Sequence, residues 1–260
     1  MKARGWALSD VGLKREHNED SYLCNNDIGL FAVADGMGGH LGGERASRMA
    51  VDVMEQEIAR GISLGVTKTG EAVPAITGVH PIAKAMRNAV NEATRVIWQT
   101  AQVQPQYAGM GTTLTSLLLH KDRATICHVG DSRAYLHRNG QTRQLTDDHS
   151  WIAEQIRAGL VDPNDLIATR FRNIITRSVG FEPTVDPDLL TMPIEVGDCF
   201  LMCSDGMSNY FSVEEIGNIL STRFYAEACK TLVDTANERG GDDNITVVAV
   251  YLSNDDETPA

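Results

Sequence analysis

An α+β fold built on mainly antiparallel sheets is what this chain predicts, on three observations. Short apolar runs with turn residues at their ends recur along the 260 residues, and longer amphipathic segments stand between some of them. The order runs strands, two helices, strands, an irregular stretch, then strand, helices and strand, which is not the regular strand-helix alternation of a parallel sheet. With 42% hydrophobic residues the chain has enough apolar surface for a substantial core, and no linker marks a second unit.

Taken in order, residues 28–34 form the first predicted strand and residues 44–59 the first helix. Residues 63–81, rich in Gly, Thr and Pro, read as a surface loop. In residues 82–100 the apolar Met86, Val90, Ala93 and Ile97 recur at spacings of four, three and four, which gives a helix one buried stripe. Residues 114–119, 124–129 and 134–137 read as strands. Asn139-Gly140 then predicts a tight hairpin, because both residue types tolerate positive φ. Helices are expected over 150–158 and 225–238, strands over 199–203 and 245–252, and a frayed tail over 253–260.

Charge narrows the function classes. Thirty-five acidic residues against 23 basic ones leave a formal charge of −12, which argues against nucleic acid or an anionic membrane surface as partner. The N-terminal segment lacks a signal-peptide core and the longest apolar run, residues 245–252, is too short to span a bilayer, so a cytoplasmic location is expected. Five cysteines without a C-x-x-C pair indicate neither a disulfide framework nor a zinc knuckle.

The informative pattern is where the aspartates fall. Three apolar runs finish in Asp35-Gly36, Asp131-Ser132 and Asp205-Gly206, and a fourth begins after Asp242-Asp243-Asn244. If such strands are antiparallel neighbours, an Asp after one and an Asp before the next emerge at the same sheet edge. Asp-Gly is also a common turn after any strand, so each aspartate alone has a plain explanation. Four together, with Glu19 and Asp20 as further candidates, repel one another unless cations lie between them. All-oxygen ligands suit magnesium or manganese better than zinc. The glycines of Asp35-Gly36-Met37-Gly38-Gly39-His40 let backbone approach a ligand and expose a carbonyl; no Gly-Lys-Ser/Thr follows, which excludes a P-loop. Arg15, beside two acids, is the natural bidentate contact for a phosphate, although taken without the other motifs it reads as a solvated surface charge.

With these residues placed, the sequence resembles the metal-dependent (PPM, type 2C) serine/threonine protein phosphatases, in particular compact bacterial members. The resemblance rests on Arg15-x-x-Asn18-Glu19-Asp20, Asp35 to His40, Gly111-Thr112-Thr113, Gly130-Asp131-Ser132-Arg133, Leu145 to Ser150, Ser204-Asp205-Gly206 and Asp243-Asn244-Ile245-Thr246. It implies a four-layer α-β-β-α sandwich of two antiparallel sheets over residues 1–252. It also implies that Asp35 bridges two Mn2+ or Mg2+ ions, that the Gly36 carbonyl completes one site, and that Asp205 and Asp243 complete the other. Glu19 and Asp20 would act through water, and Asp131 with Asp205 would hold a third ion. Water acidified by the ions would attack phosphorus in line, while Arg15 neutralises the phosphoryl oxygens.

One departure matters. Many eukaryotic members carry a histidine at the position of Met37, and a thioether cannot protonate a leaving group, so the general acid is unassigned, with His17 and His40 read as structural. Residues 160–190 resemble the flap of bacterial members, where Arg170, Arg172 and Arg177 either hold a phosphopeptide or serve as loop charges. The implied partners are phosphoserine and phosphothreonine proteins, including a cognate kinase and its substrates, met by a monomer. A non-catalytic phosphoprotein-binding module and another two-metal phosphoesterase are the competing readings.

Overall fold

A computed structural model of the chain describes residues 1–63, 81–162, 165, 171 and 174–254. Two sheets, antiparallel throughout, lie face to face. In the first the spatial order is β1 (Lys2–Asp10), β11 (Ile245–Ser253), β10 (Cys199–Cys203), β7 (Arg133–Arg138) and β8 (Gln141–Gln144). In the second it is β2 (Asp20–Asn25), β3 (Leu30–Met37), β5 (Leu114–His120), β6 (Arg123–Val129) and β9 (Asp188–Pro193), with the short β4 (Gly111–Thr112) also paired to β3.

The two-residue side-chain period of a strand puts alternate residues on opposite faces, and three apolar clusters result. Phe31, Val33, Leu117 and Ile126 of the second sheet meet Leu136, Phe200, Met202, Val248 and Val250 of the first, closing the space between sheets. On the outer face of the second sheet, α1 (His40–Ser63) and α2 (Pro81–Val103) bury Met54, Met86, Val90 and Ile97 against Leu30, Ala32 and Leu118. Outside the first sheet, and after the short helices α3 (Trp151–Arg157) and α4 (Asp205–Ser208) in the chain, α5 (Val213–Thr222) and α6 (Tyr225–Glu238) bury Ile216, Leu232 and Val233 against Leu201, Val247 and Ala249. Helix, sheet, sheet, helix is therefore the layer order, as the resemblance implied.

The Asn139-Gly140 hairpin forms as expected, with φ of 53° and 75°. Helix α1 starts four residues before the expected point, because Gly39 at φ 82° turns the chain and its carbonyl accepts from the Gly42 and Gly43 amides; glycines are poor helix formers and concealed that turn. Strands β1, β2 and β9 were not anticipated, nor was α5, although its Ser212–Glu215 capping box is a helix-start signal in the sequence. The last strand extends to Ser253, one residue into the expected tail. Residues 64–80 of the expected loop, and 255–260 of that tail, lie outside the described residues.

Candidate active site

Strand direction gathers the acids. β10 and β11 are antiparallel neighbours, so Asp205, after the first, and Asp243, before the second, leave the sheet at one rim. In the other sheet Asp20 opens β2 directly opposite Asp35 near the end of β3, and β6 ends at Val129 just before Gly130 and Asp131. Gly130 takes φ 109°, and a Cβ there would stand 2.5 Å from Thr113 Cγ2, so only glycine fits. The rims of the two sheets are joined there by Ser204, whose Oγ donates to Asp20 Oδ2 at 2.8 Å and accepts from the Thr246 amide at 3.0 Å.

Between them opens a pocket of about 310 Å³ lined by Arg15, Glu19, Asp35, Gly36, Met37, Gly38, Gly39, Asp131, Ile175, Asp205, Asp243 and Asn244. The main chain of Asp35 is clamped: its amide donates to Thr113 Oγ1 (2.9 Å), and its carbonyl accepts from the Thr113 amide (2.9 Å) and Thr112 Oγ1 (2.8 Å). Gly36 donates to the Glu19 carbonyl, and a Cβ there would lie 2.1 Å from the Gly43 carbonyl, so the Asp35 turn and α1 approach as closely as bare backbone permits. Asn244 secures the arginine-bearing segment by accepting from the Glu19 amide (2.7 Å) and donating to the Val11 and His17 carbonyls (2.9 Å each).

Five carboxylates therefore face one guanidinium. Burial, and then the field of Asp20, Asp205, Asp131 and Asp243, holds the Asp35 carboxyl well above the usual carboxylate range. Burial first and Asp205 second push Asp131 up to about 8. Asp20, also raised by burial, reaches about 7. Partial burial opposes the charge on Arg15, but its hydrogen bond to Asp243 at 2.7 Å and the fields of Asp243, Glu19 and Asp35 outweigh that and raise it.

The donor set fits hard divalent cations. It is all oxygen and carries excess negative charge, and behind the pocket Asp20 Oδ1 is buried with no hydrogen-bond partner among the described residues. No three His, Cys, Asp or Glu side chains among the described residues stand close enough together to hold a metal ion by themselves. Instead the acids are spread around a pocket wide enough for ions that keep several waters, which is how magnesium and manganese are held.

Of the anticipated residues, Arg15, Glu19, Asp35, Gly36, Asp131, Asp205 and Asp243 share this pocket, and Asp20 sits buried behind it. Arg15 pairs with Asp243. Met37 is at the pocket wall, and no histidine lines it among the described residues. Arg177 does not reach toward the pocket: it binds Asp188 Oδ1 at 2.8 Å and the Asp186 carbonyl at 3.2 Å. Arg170, Arg172 and the His40 side chain lie outside what is described. Ile175 and the closeness of Gly43 to Glu19 were not read as parts of the site; no local signal marks either, since both depend on contacts between distant segments.

Residues 14–246 match the model of the family described as protein phosphatase 2C. The chain belongs to the protein phosphatase 2C family. It is 35% identical over 246 residues to a serine/threonine phosphatase, Stp, of Listeria welshimeri, covering 93% of each chain. The crystal structure of the Mycobacterium tuberculosis serine/threonine phosphatase PstP/Ppp superposes with a TM-score of 0.84 at 32% identity, over 98% of this chain and all of that one. A structure of the PstP catalytic domain in complex with two manganese ions matches with a TM-score of 0.81 at 31% identity, over 97% of this chain and 99% of that chain. Membership makes this chain a protein phosphatase, and its metal dependence follows from the same family and from the carboxylates on both sheet rims.

Proposed function

We propose that this phosphatase hydrolyses phosphoserine and phosphothreonine in proteins at the acidic pocket, with two divalent cations, Mn2+ or Mg2+, in the core site. The observation that carries the reading is the convergence of Asp35, Asp205, Asp243, Asp131 and Glu19 on one pocket that also contains Arg15. Asp35 is central, since all of Asp20, Asp205, Asp131 and Asp243 act on it electrostatically; with Asp205, Asp243 and the Gly36 carbonyl it would hold the two ions. Asp131 would hold a third, and Glu19 and Asp20 would act through water. When bound, the ions would acidify water for attack on phosphorus and draw charge from the phosphoryl oxygens.

The chain's own residues supply position and charge. Arg15, half exposed and donating to Asp243, can turn its fork to two phosphoryl oxygens once cations satisfy that carboxylate. Asn244 keeps the Arg15 segment registered against β11, so this cation stands at a fixed place relative to Asp243. Met37 offers no proton, and with no histidine lining the pocket among the described residues, the leaving oxygen has to take its proton from a carboxyl or from water.

No helix among the described residues is long and apolar enough to cross a membrane. The free cysteines, four of them buried, support a reducing cytoplasmic setting. A kinase that acts on the same proteins is the natural counterpart, and a monomer is the assembly we infer. The test is hydrolysis of a phosphothreonine peptide, a phosphotyrosine peptide and DNA, each with manganese and then with chelator. Manganese-dependent release of phosphate from the phosphothreonine peptide is expected; DNA cleavage, or activity that survives chelation, defeats the reading.

A further inference from the structure

Behind the pocket His149 is fully buried, and both of its ring nitrogens are used. Nδ1 accepts from the Gly130 amide at 3.1 Å, and Nε2 lies 3.2 Å from Asp188 Oδ2. Because Nδ1 is an acceptor, the proton is on Nε2, and the neutral ring donates to Asp188. Its main chain repeats the connection: the His149 amide donates to the Gly130 carbonyl (2.7 Å), and the His149 carbonyl accepts from the Thr176 amide (2.8 Å). Asp188 in turn accepts from Arg177 at 2.8 Å. The segment carrying Arg177 is fastened at both ends, by a bridge between Ile175 and Ser150 and by paired hydrogen bonds between Val179 and Thr112. Ile175 and Asp131 both line the pocket.

We propose that His149 is a positioning residue, which fixes the Gly130-Asp131 turn through one ring nitrogen and the pocket wall at residues 175–179 through the other, by way of Asp188 and Arg177. The inference rests on the reading of the pocket as the phosphatase site. A rigid planar ring with an acceptor on one edge and a donor on the other is what this place requires, since the two elements it joins come from different parts of the chain. The turn side bears on the reacting groups. The wall side bears on whatever polypeptide surrounds the phosphorylated residue.

Two substitutions divide the functions. In His149→Asn the amide oxygen stands near the Nδ1 position and keeps the Gly130 bond, but the side chain stops short of Asp188. In His149→Gln the amide nitrogen reaches the Nε2 position and keeps Asp188, while the Gly130 bond is lost. Asp188→Asn, at a half-exposed site, provides a third variant that leaves the core untouched. With manganese saturating, each is assayed on a phosphothreonine peptide and on a small aryl phosphate, beside its melting temperature. His149→Gln should lower kcat on both substrates by about tenfold, as expected when reacting groups are displaced by a fraction of an ångström. His149→Asn and Asp188→Asn should lower peptide kcat/KM relative to aryl phosphate by about tenfold, mainly through KM.

A purely structural histidine would shift the melting temperature and leave both kinetic signatures at wild-type values, and that result overturns the proposal. Equal losses on both substrates in the Asn variant would also overturn it. Should neither His149 variant fold, Asp188→Asn alone decides, and a wild-type peptide KM there is fatal. Failure of the wild-type enzyme to release phosphate with manganese would instead strike the proposed function.

Discussion

Strand β10 carries an aspartate just beyond each end, and the two are treated in opposite ways. Asp198, before Cys199, has a fully buried side chain that accepts from Arg138 Nε and Nη2 at 2.6 Å each and from the Glu195 amide at 2.9 Å; Arg138 also reaches Glu195 Oε1 and the Pro193 carbonyl. Asp205, after Cys203, joins four other carboxylates around one half-exposed arginine. Another guanidinium is close in register, since Arg133 pairs with Cys203 across the sheet, but it forks onto Asp148 at 2.7 to 3.1 Å. One rim therefore satisfies its acid within the chain, and the other withholds the cation that would satisfy its acids. Such a withheld charge is a demand for ions from solution.

The largest test of that contrast is removal of an acid at the open rim. Asp35→Asn or Asp243→Asn, assayed on a phosphothreonine peptide with manganese saturating, should lower kcat on the order of a thousandfold, because charge stabilisation of phosphoryl transfer is lost at its centre. Near-normal turnover would remove these residues from the chemistry. At the closed rim the matching change acts on folding. Arg138→Ala strands a buried carboxylate and should cost about 3–5 kcal/mol of stability by chemical denaturation, while kcat of the folded enzyme stays within twofold. A small loss of stability there would mean that Asp198 is better solvated than its burial indicates.

Much of this arrangement could be read from the sequence because it depends on local chemistry: an apolar run, a turn residue, an aspartate. Antiparallel pairing then does the rest, and Asp35, Asp205 and Asp243 meet as the pattern requires. Strand β1 escaped notice because Arg4 and Gly5 interrupt its apolar pattern, yet Gly5 is needed where a Cβ would stand 2.4 Å from the Phe31 ring. Strand β9 is a half-exposed edge ending in Pro193, without the alternation that marks a buried face. The partners of the arginines were not legible at all, since Arg138–Asp198 and Arg177–Asp188 depend on how sheet edges and loops meet in space.

The contrast between rims also has a pH signature. In the metal-free protein Asp20 and Asp131 have folded-state values of about 7 and 8, against an ordinary value near 3.8, and Asp35 is raised in the same direction. A raised carboxyl contributes stability that is complete below its unfolded value and is lost as pH rises through the folded one. The open rim should therefore weaken the metal-free fold progressively from about pH 4 to pH 8, and manganese should restore it. The rise in melting temperature on adding manganese is expected to grow from pH 6 to pH 8, a difference in which groups remote from the ions cancel. A manganese shift that is flat or falls with pH would show that the acids are not relieved by the ion.

The smallest expected effect sharpens the comparison at one methyl group. Gly43 lies in the first turns of α1, where a Cβ would stand 1.9 Å from Glu19 Oε2 and 2.9 Å from the Gly36 carbonyl carbon. Gly43→Ala gains helix propensity of roughly 0.5–1 kcal/mol but incurs overpacking of roughly 1–3 kcal/mol, so a net loss of about 1 kcal/mol is expected. The Glu19 tip can swing aside and the Gly36 backbone cannot, so the strain falls on the turn of Asp35 and Gly36, the proposed ion ligands. The manganese concentration for half-maximal activity should therefore rise by more than the stability loss alone predicts. Gly61→Ala, in the same helix with no atom within 4 Å of the new methyl, is the matched control and should be stabilising by roughly 0.5–1 kcal/mol with manganese dependence unchanged. If both alanines leave the manganese midpoint in place, the close approach of α1 to the Asp35 turn is packing alone and the rim tolerates more freedom than its hydrogen bonds imply.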